Sequence, residues 1–275
     1  MPELPEVETI KRIIEPQLRG AAVHTVLLNR PEIIASPSAE EFCERLKGQT
    51  IGGMTRRGKF LTILLENGDR VTLHLRMTGC LLVTPPEAPL QKHTHLILQL
   101  SNHQELRFSD PRRFGRFWLL QKGEEDTKSG VQKLGLEPFD EALTADYLQK
   151  QFGRKKRAVK DCLLDQSVIA GIGNIYSDEI LFAAKIHPSR QALCLGYEEW
   201  QRLADTIPLI LAYFIEKNDI SPEEYLAGNG WDYRNTPFFK VYGHKGEPCP
   251  CCGEPLCKTT IAGRSSVFCP KCQKI

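Results

Sequence analysis

Residues 60–77 read FLTILLENGDRVTLHLRM, and their reading decides the fold of the first half of the chain. Two apolar segments flank Asn67-Gly68, a dipeptide suited to a tight hairpin because both positions tolerate positive φ. Similar short apolar runs recur around it: VHTVLL at 23–28, HLILQLSN at 95–102, ELRFSD at 105–110 and RFWLLQ at 116–121. The pattern predicts a β domain from about residue 22 to 120, built as a two-layer sandwich.

Outward from that domain the periodicity changes. PEVETIKRIIEPQLRG, at 5–20, places Val7, Ile10, Ile13, Ile14 and Leu18 on one helical face, with Gly20 closing the helix. QKGEEDTKSGVQKLG, at 121–135, is polar and punctuated by glycine, and reads as a boundary or hinge. Helical patterns follow in ADYLQKQF, RAVKDCLLDQ, NIYSDEILFAAK and YEEWQRLADTIPLILAYFIEK, the last with Pro208 placed to kink it. The expected class is therefore α+β.

With 275 residues, 41% of them hydrophobic and 25% charged, the chain can bury two cores. It has no run of eighteen apolar residues, so no membrane span is expected and a cytoplasmic location is the default. A net charge of +2 names no partner, but local charge is uneven. RKKRAVK, at 154–160, holds five basic residues and no acid, and residues 240–275 carry six Lys or Arg against two Glu. Such patches face an anionic partner or are simply solvated.

Six of the ten cysteines fall between Cys249 and Cys272. Cys249 and Cys252, then sixteen residues, then Cys269 and Cys272 form two C-x2-C knuckles, the ligand spacing of a tetrahedral zinc site on a β-hairpin. Cys251 leaves the assignment within CPCC open. One structural zinc is expected, holding a segment too short to fold on its own core. Between two of the helical stretches, Gly171 and Gly173 permit tight turns. Asn174 is placed to cap the next helix, leaving its free N–H groups as an anion site.

These patterns converge. PELPEVET at the start, RRGKF at 56–60, HLRMTG at 74–79, DPRRFG at 110–115, GIGNIYSDE and the four-cysteine tail, in this order, resemble the bacterial formamidopyrimidine-DNA glycosylases. The resemblance implies an N-terminal helix and two-layer β-sandwich, then a helix-two-turns-helix domain ending in a β-hairpin zinc finger. The boundaries it suggests are 1–125, a hinge at 126–140, 141–238 and 239–275. It also implies a bifunctional glycosylase and apurinic/apyrimidinic lyase, acting as a monomer on double-stranded DNA that contains an oxidised purine. Two rivals are an oxidised-pyrimidine glycosylase of the endonuclease VIII type and a zinc-ribbon protein that binds damaged DNA without cutting it.

The resemblance explains a proline directly after the initiator methionine. Once Met1 is removed, the secondary amine of Pro2 attacks C1′ of the damaged nucleotide; an α-amine has a pKa near ~8 against ~10.4 for lysine, so more of it is unprotonated. Glu3 is implied as the acid that opens the sugar ring. Glu6 would position or deprotonate the amine, and Glu8 reads as structural. Lys59 is implied to assist elimination at the active-site phosphate, and Arg264 to grip phosphates flanking the extruded nucleotide. Met77, Arg112 and Phe114 would fill the gap that base extrusion leaves. His74, His93, Lys155 and Asn174 match DNA-contacting positions.

One stretch departs from the family. Where its members carry a flexible glycine- and threonine-rich loop that closes over an extruded 8-oxoguanine, residues 216–243 read EKNDISPEEYLAGNGWDYRNTPFFKVYG. Lys217 and Asn218 replace flexible glycines, and Pro222 restricts the backbone and removes a donor. Altered capping, with poorer handling of 8-oxoguanine than of ring-opened purines, is the expectation.

Overall fold

The computed structural model describes residues 2–230 and 235–275. The chain forms two compact units. Residues 6–132 and 218–230 belong to the first, while Glu3–Pro5, Lys133–Lys217 and the chain from residue 235 onward belong to the second.

The first unit is the predicted sandwich. Helix α1, Leu4–Leu18, buries Val7, Ile10, Ile13, Ile14 and Leu18, and Gly20 ends the turn at φ 81°. Strands β1 (Val23–Leu28) and β2 (Ile34–Ser36), helix α2 (Ala39–Leu46), and strands β3 (Ile51–Arg57), β4 (Phe60–Leu65), β5 (Arg70–His74), β6 (Cys80–Thr84), β7 (Thr94–Leu100), β8 (Glu105–Ser109) and β9 (Arg116–Leu120) follow. They assemble as β1-β7-β8-β6 and β2-β9-β5-β4-β3. The Asn67-Gly68 hairpin joins β4 to β5 with Phe60 opposite His74, and Gly68 sits at φ 94°. One core takes side chains from α1 and from both sheets, among them Ile14, Leu61, Leu73, Leu81, Leu98 and Phe108.

In the second unit the helices are α3 (Ala145–Phe152), α4 (Val159–Leu163), α5 (Asn174–Ala183) and α6 (Tyr197–Lys217), packed around Trp200, Phe152, Tyr176 and Phe214. Pro208 lies inside α6 without ending it. RAVKDCLLDQ yields only the five residues of α4, because Leu164–Ser167 close in turns held by the Asp165 side chain. Strands β10 (Cys257–Ile261) and β11 (Arg264–Phe268) form the terminal hairpin around a small core of Val241, Leu256 and Val267.

The stretch from 218 to 230 corrects the reading of a restricted loop. Ser221 accepts from the Glu224 amide at 3.2 Å while the Glu224 carboxylate accepts from the Ser221 amide at 3.0 Å, a capping box that opens helix α7, Pro222–Ala227. Pro222 therefore occupies the first helical turn, where a missing N–H costs nothing. Ile220 and Tyr225 enter the core of the first unit, and fully buried Asn218 donates to Thr9 Oγ1 at 2.9 Å. Residues 231–234 of the divergent stretch lie outside the described residues.

Candidate functional site

Helix α5 is where the second unit gathers chemistry. Its N-cap is Gly173, with no side-chain cap, and Asn174 is its first residue. The expectation that Asn174 caps the helix is thus corrected: the Glu3 carboxylate does so. It accepts from the amides of Gly173 (2.8 Å), Ile175 (3.0 Å) and Tyr176 (3.3 Å), and is 1% exposed. The Leu4 amide donates to the Gly171 carbonyl at 3.1 Å, which fixes the tripeptide bearing Glu3 in the same place. A helix N-terminus favours a carboxylate by charge and by its unpaired donors, so the anion site inferred at GIGN is filled by the chain's own third residue. Gly173 is required for space: a Cβ there would lie 2.3 Å from Glu3 Cδ.

Tyr242 joins this cluster. Burial and the Glu3 charge push its phenol up, opposed by a hydrogen bond with the half-buried Asn174 side chain. Its backbone is held by Glu179, a buried carboxylate that accepts from the amides of Lys240 (2.9 Å), Val241 (3.0 Å) and Tyr242 (2.9 Å). Burial raises the Glu179 carboxyl against those three donors. Nothing in the sequence pattern pointed to Tyr242, since its partners are sixty or more residues away along the chain.

The basic run divides. Arg154, Lys155 and Lys156 are exposed, whereas Arg157 pairs with Asp165 at 2.7 Å and Lys160 is wholly buried against Asp178 at 2.7 Å. RKKRAVK is therefore not one surface patch. Arg264 is exposed at the start of β11, beside the tight turn made by Ala262 and Gly263 at positive φ.

In the first unit, Pro2 and Glu6 are buried at the start of the chain. Glu8 accepts from Arg56 at 2.8 Å and from Arg12 at 2.9 Å. Burial pushes its carboxyl up, but the two guanidinium groups outweigh that and hold it below the ordinary value. Lys59, 8% exposed, lies in the β3–β4 turn. His74 is pushed down to about 3 by burial and by the charges of Arg76 and Lys59, so its imidazole is neutral near pH 7. Its Nδ1 accepts from the Arg76 amide at 2.9 Å, which assigns the proton to Nε2 and makes that nitrogen a donor.

Met77, Arg112 and Phe114 stand together. The Arg112 guanidinium donates to Met77 Sδ at 3.0 Å and lies 4.6 Å from the centre of the Phe114 ring. Met77 and Phe114 remain 43% and 46% exposed, unusual for large apolar side chains of a sandwich. Asp110, fully buried, ties the two loops together. Its carboxylate accepts from the Thr78 hydroxyl and from the amides of Arg112 (3.1 Å) and Gly115 (2.8 Å). His93 is elsewhere in this unit, on a cavity of about 520 Å³ lined also by Arg30, Lys92, His95 and Arg113.

The sulfurs of Cys249, Cys252, Cys269 and Cys272 all lie within 4.8 Å of one another, with Cys249–Cys272 at 3.9 Å and Cys252–Cys269 at 3.5 Å. Four thiolates at ~2.3 Å from one zinc would sit about 3.8 Å apart, so this donor set fits the metal. Amides of Cys251 and Cys272 donate to Cys249 Sγ and Cys269 Sγ, both at 3.4 Å. Cys251 and Cys257 are exposed and outside the cluster, which settles the ambiguity in CPCC.

Residues 1–117 match the formamidopyrimidine-DNA glycosylase N-terminal domain, 134–224 the H2TH domain of the same enzymes, and 246–275 the zinc finger found in FPG and IleRS. The formamidopyrimidine-DNA glycosylase of Pelotomaculum thermopropionicum is 42% identical over 275 residues, covering 100% of both chains. That of Moorella thermoacetica is 45% identical over 256 residues, 93% of each. Among solved structures, a Lactococcus lactis Fpg complex with FAPY-dG-containing DNA superposes with a TM-score of 0.89 at 33% identity, over 99% of this chain and 100% of that one. Another, of the same enzyme with abasic-site DNA, gives 0.89 at 32% with the same coverage.

Proposed function

This chain belongs to the formamidopyrimidine-DNA glycosylase family, and we propose that Pro2, Glu3 and Lys59 carry its chemistry. It is a base-excision repair glycosylase and apurinic/apyrimidinic lyase that acts on damaged double-stranded DNA, with one structural zinc in its C-terminal hairpin. The four cysteines leave zinc no open coordination position, so its part is to hold the hairpin.

With Met1 removed, the Pro2 amine attacks C1′ and the damaged base leaves. The resulting iminium is cationic, which acidifies the adjacent sugar carbon and permits β- then δ-elimination. Glu3, the next residue, gives and takes the protons. The single observation that supports this assignment is the seating of Glu3, the neighbour of Pro2 in sequence, on the amides of Gly173, Ile175 and Tyr176 at the start of α5. Glu6 positions the amine. Lys59 and Arg264 neutralise phosphate charge, and neutral His74 adds an N–H donor rather than a second cation.

Met77, Arg112 and Phe114 act as one wedge unit. Their mutual contacts support a group pre-formed for insertion into a base stack. His93, Lys155 and Asn174 contribute further DNA contacts. Residues 1–125 serve as the catalytic domain and 141–275 as the helical and zinc-finger grip, joined through 126–140. The lesion range is narrowed at 8-oxoguanine, a reading supported by the burial of Asn218, Ile220 and Tyr225 in the stretch where the family resemblance implies a flexible loop. Cytoplasmic, monomeric action completes the proposal.

Borohydride trapping on an abasic-site duplex tests the centre of it. Peptide mapping should place the adduct at residue 2; attachment at Lys59 would overturn the assignment.

A further inference from the structure

The zinc hairpin has a second anchor that uses no metal. Asp178, on α5, is 1% exposed and reaches strand β11 at two consecutive residues. Its Oδ1 accepts from the Ser266 hydroxyl at 2.6 Å and from Lys160 Nζ at 2.7 Å, and its Oδ2 accepts from the Val267 amide at 3.0 Å. Lys160 Nζ donates also to the Ser265 carbonyl at 2.9 Å. Three successive residues of β11, beginning immediately after Arg264, are thus gripped by one buried ion pair.

Stability is a poor reason for such a pair. Burial pushes the Lys160 ammonium down and the Asp178 carboxyl up, so desolvation opposes both charges. A well-packed apolar pair would serve the core as well or better. Position is the better reason. Cys269, the zinc ligand nearest to Arg264 in β11, is five residues along, roughly 16 Å of extended strand. A clamp at that distance is remote from the hairpin tip, whereas the grip of the Lys160–Asp178 pair begins one residue from Arg264, at the Ser265 carbonyl.

We propose that Asp178, acting with Lys160 and Ser266, is a positioning residue that holds Arg264 in place to receive a DNA phosphate, independently of the zinc. This rests on the reading of Arg264 as a phosphate ligand, and the test separates the two. Affinity for a duplex carrying an uncleavable abasic analogue is measured over a range of salt, with zinc content and Tm, for Arg264→Gln, Asp178→Asn, Ser266→Ala and the doubles with Arg264→Gln.

Arg264→Gln should weaken binding by about tenfold and reduce the salt slope by about one. Asp178→Asn should do nearly the same while keeping one zinc per chain, and adding it to Arg264→Gln should cost little more, because the arginine it positions is gone. Ser266→Ala should give a smaller loss with the same non-additivity, and it carries the test if Asp178→Asn fails to fold. An Arg264→Gln variant with unchanged affinity and slope would sink the phosphate reading itself. Full additivity, an unchanged salt slope, or loss of zinc in step with affinity would overturn the positioning role.

Discussion

Gly173→Ala tests the Glu3 assignment by space alone. The glycine has φ −127° and ψ −158°, open to any residue, so the added methyl costs no backbone strain. It would stand 2.3, 2.4 and 2.7 Å from Glu3 Cδ, Oε1 and Oε2. Ordinary contact begins near 3.4 Å, so the carboxylate must retreat by about 1 Å. A displacement of that size at a reacting group costs on the order of 10²-fold in rate, about 2.7 kcal/mol of transition-state stabilisation. Losing two of the three amide bonds adds roughly 3 kcal/mol of lost stability. Single-turnover strand cleavage at saturating enzyme should therefore slow about a hundredfold in Gly173→Ala, as in Glu3→Gln, with DNA affinity little changed. Gly196→Ala, whose Cβ meets nothing nearer than 3.9 Å, is the matched control. A wild-type rate in folded Gly173→Ala would refute the idea that catalysis depends on this seat.

Other outcomes follow from neighbouring features. His74 has a depressed pKa of about 3, against about 6.5 unfolded, so its contribution to stability is fully present above pH 6.5 and is lost as pH falls toward 3. Wild type minus His74→Asn should therefore lose about 2 kcal/mol of relative stability between pH 7.5 and 5 in denaturant titrations; a pH-independent difference would contradict the neutral imidazole. Cys269→Ser should lose zinc and DNA affinity together, and a metal-free protein that binds normally would show the hairpin to be dispensable. On matched duplexes with each lesion opposite cytosine, 8-oxoguanine should be excised at least about tenfold more slowly than ring-opened formamidopyrimidine, a ~1.4 kcal/mol difference. Full-speed 8-oxoguanine removal that survives shortening of residues 218–235 would defeat that expectation.

Sequence was a good guide wherever the physics is local. Asn67-Gly68 specified its own turn, the helical face of α1 follows from the spacing of Val7, Ile10, Ile13, Ile14 and Leu18, and two C-x2-C knuckles announced a metal cluster without any knowledge of the rest. It failed where a partner comes from far along the chain. Asn174 has the composition of a cap, yet a residue 171 positions earlier took the helix end because a charged carboxylate satisfies three donors at once. Lys160 was indistinguishable from its exposed neighbours in RKKRAVK, since only the fold brings Asp178 and Ser265 to its ammonium. Pro222 looked like a restraint on a loop, and the capping signal of Ser221 and Glu224 just around it was legible but outweighed by the comparison with a glycine-rich segment.

Two of the carboxylates of PELPEVET, Glu3 and Glu8, separate by what holds them. Glu8 is neutralised by Arg56 and Arg12, two fixed cations that keep it ionised and occupied, so it has no proton to offer a substrate. Glu3 is instead seated on three backbone amides at the start of α5, whose dipoles support a negative charge. Those amides are fixed by the helix that carries them, whereas the guanidinium groups that hold Glu8 sit at the ends of long rotatable side chains. Two carboxylates of one short segment, Glu3 just before α1 and Glu8 inside it, can thus serve chemistry and structure, and the difference lies in whether the stabilising partner is a dipole or a charge.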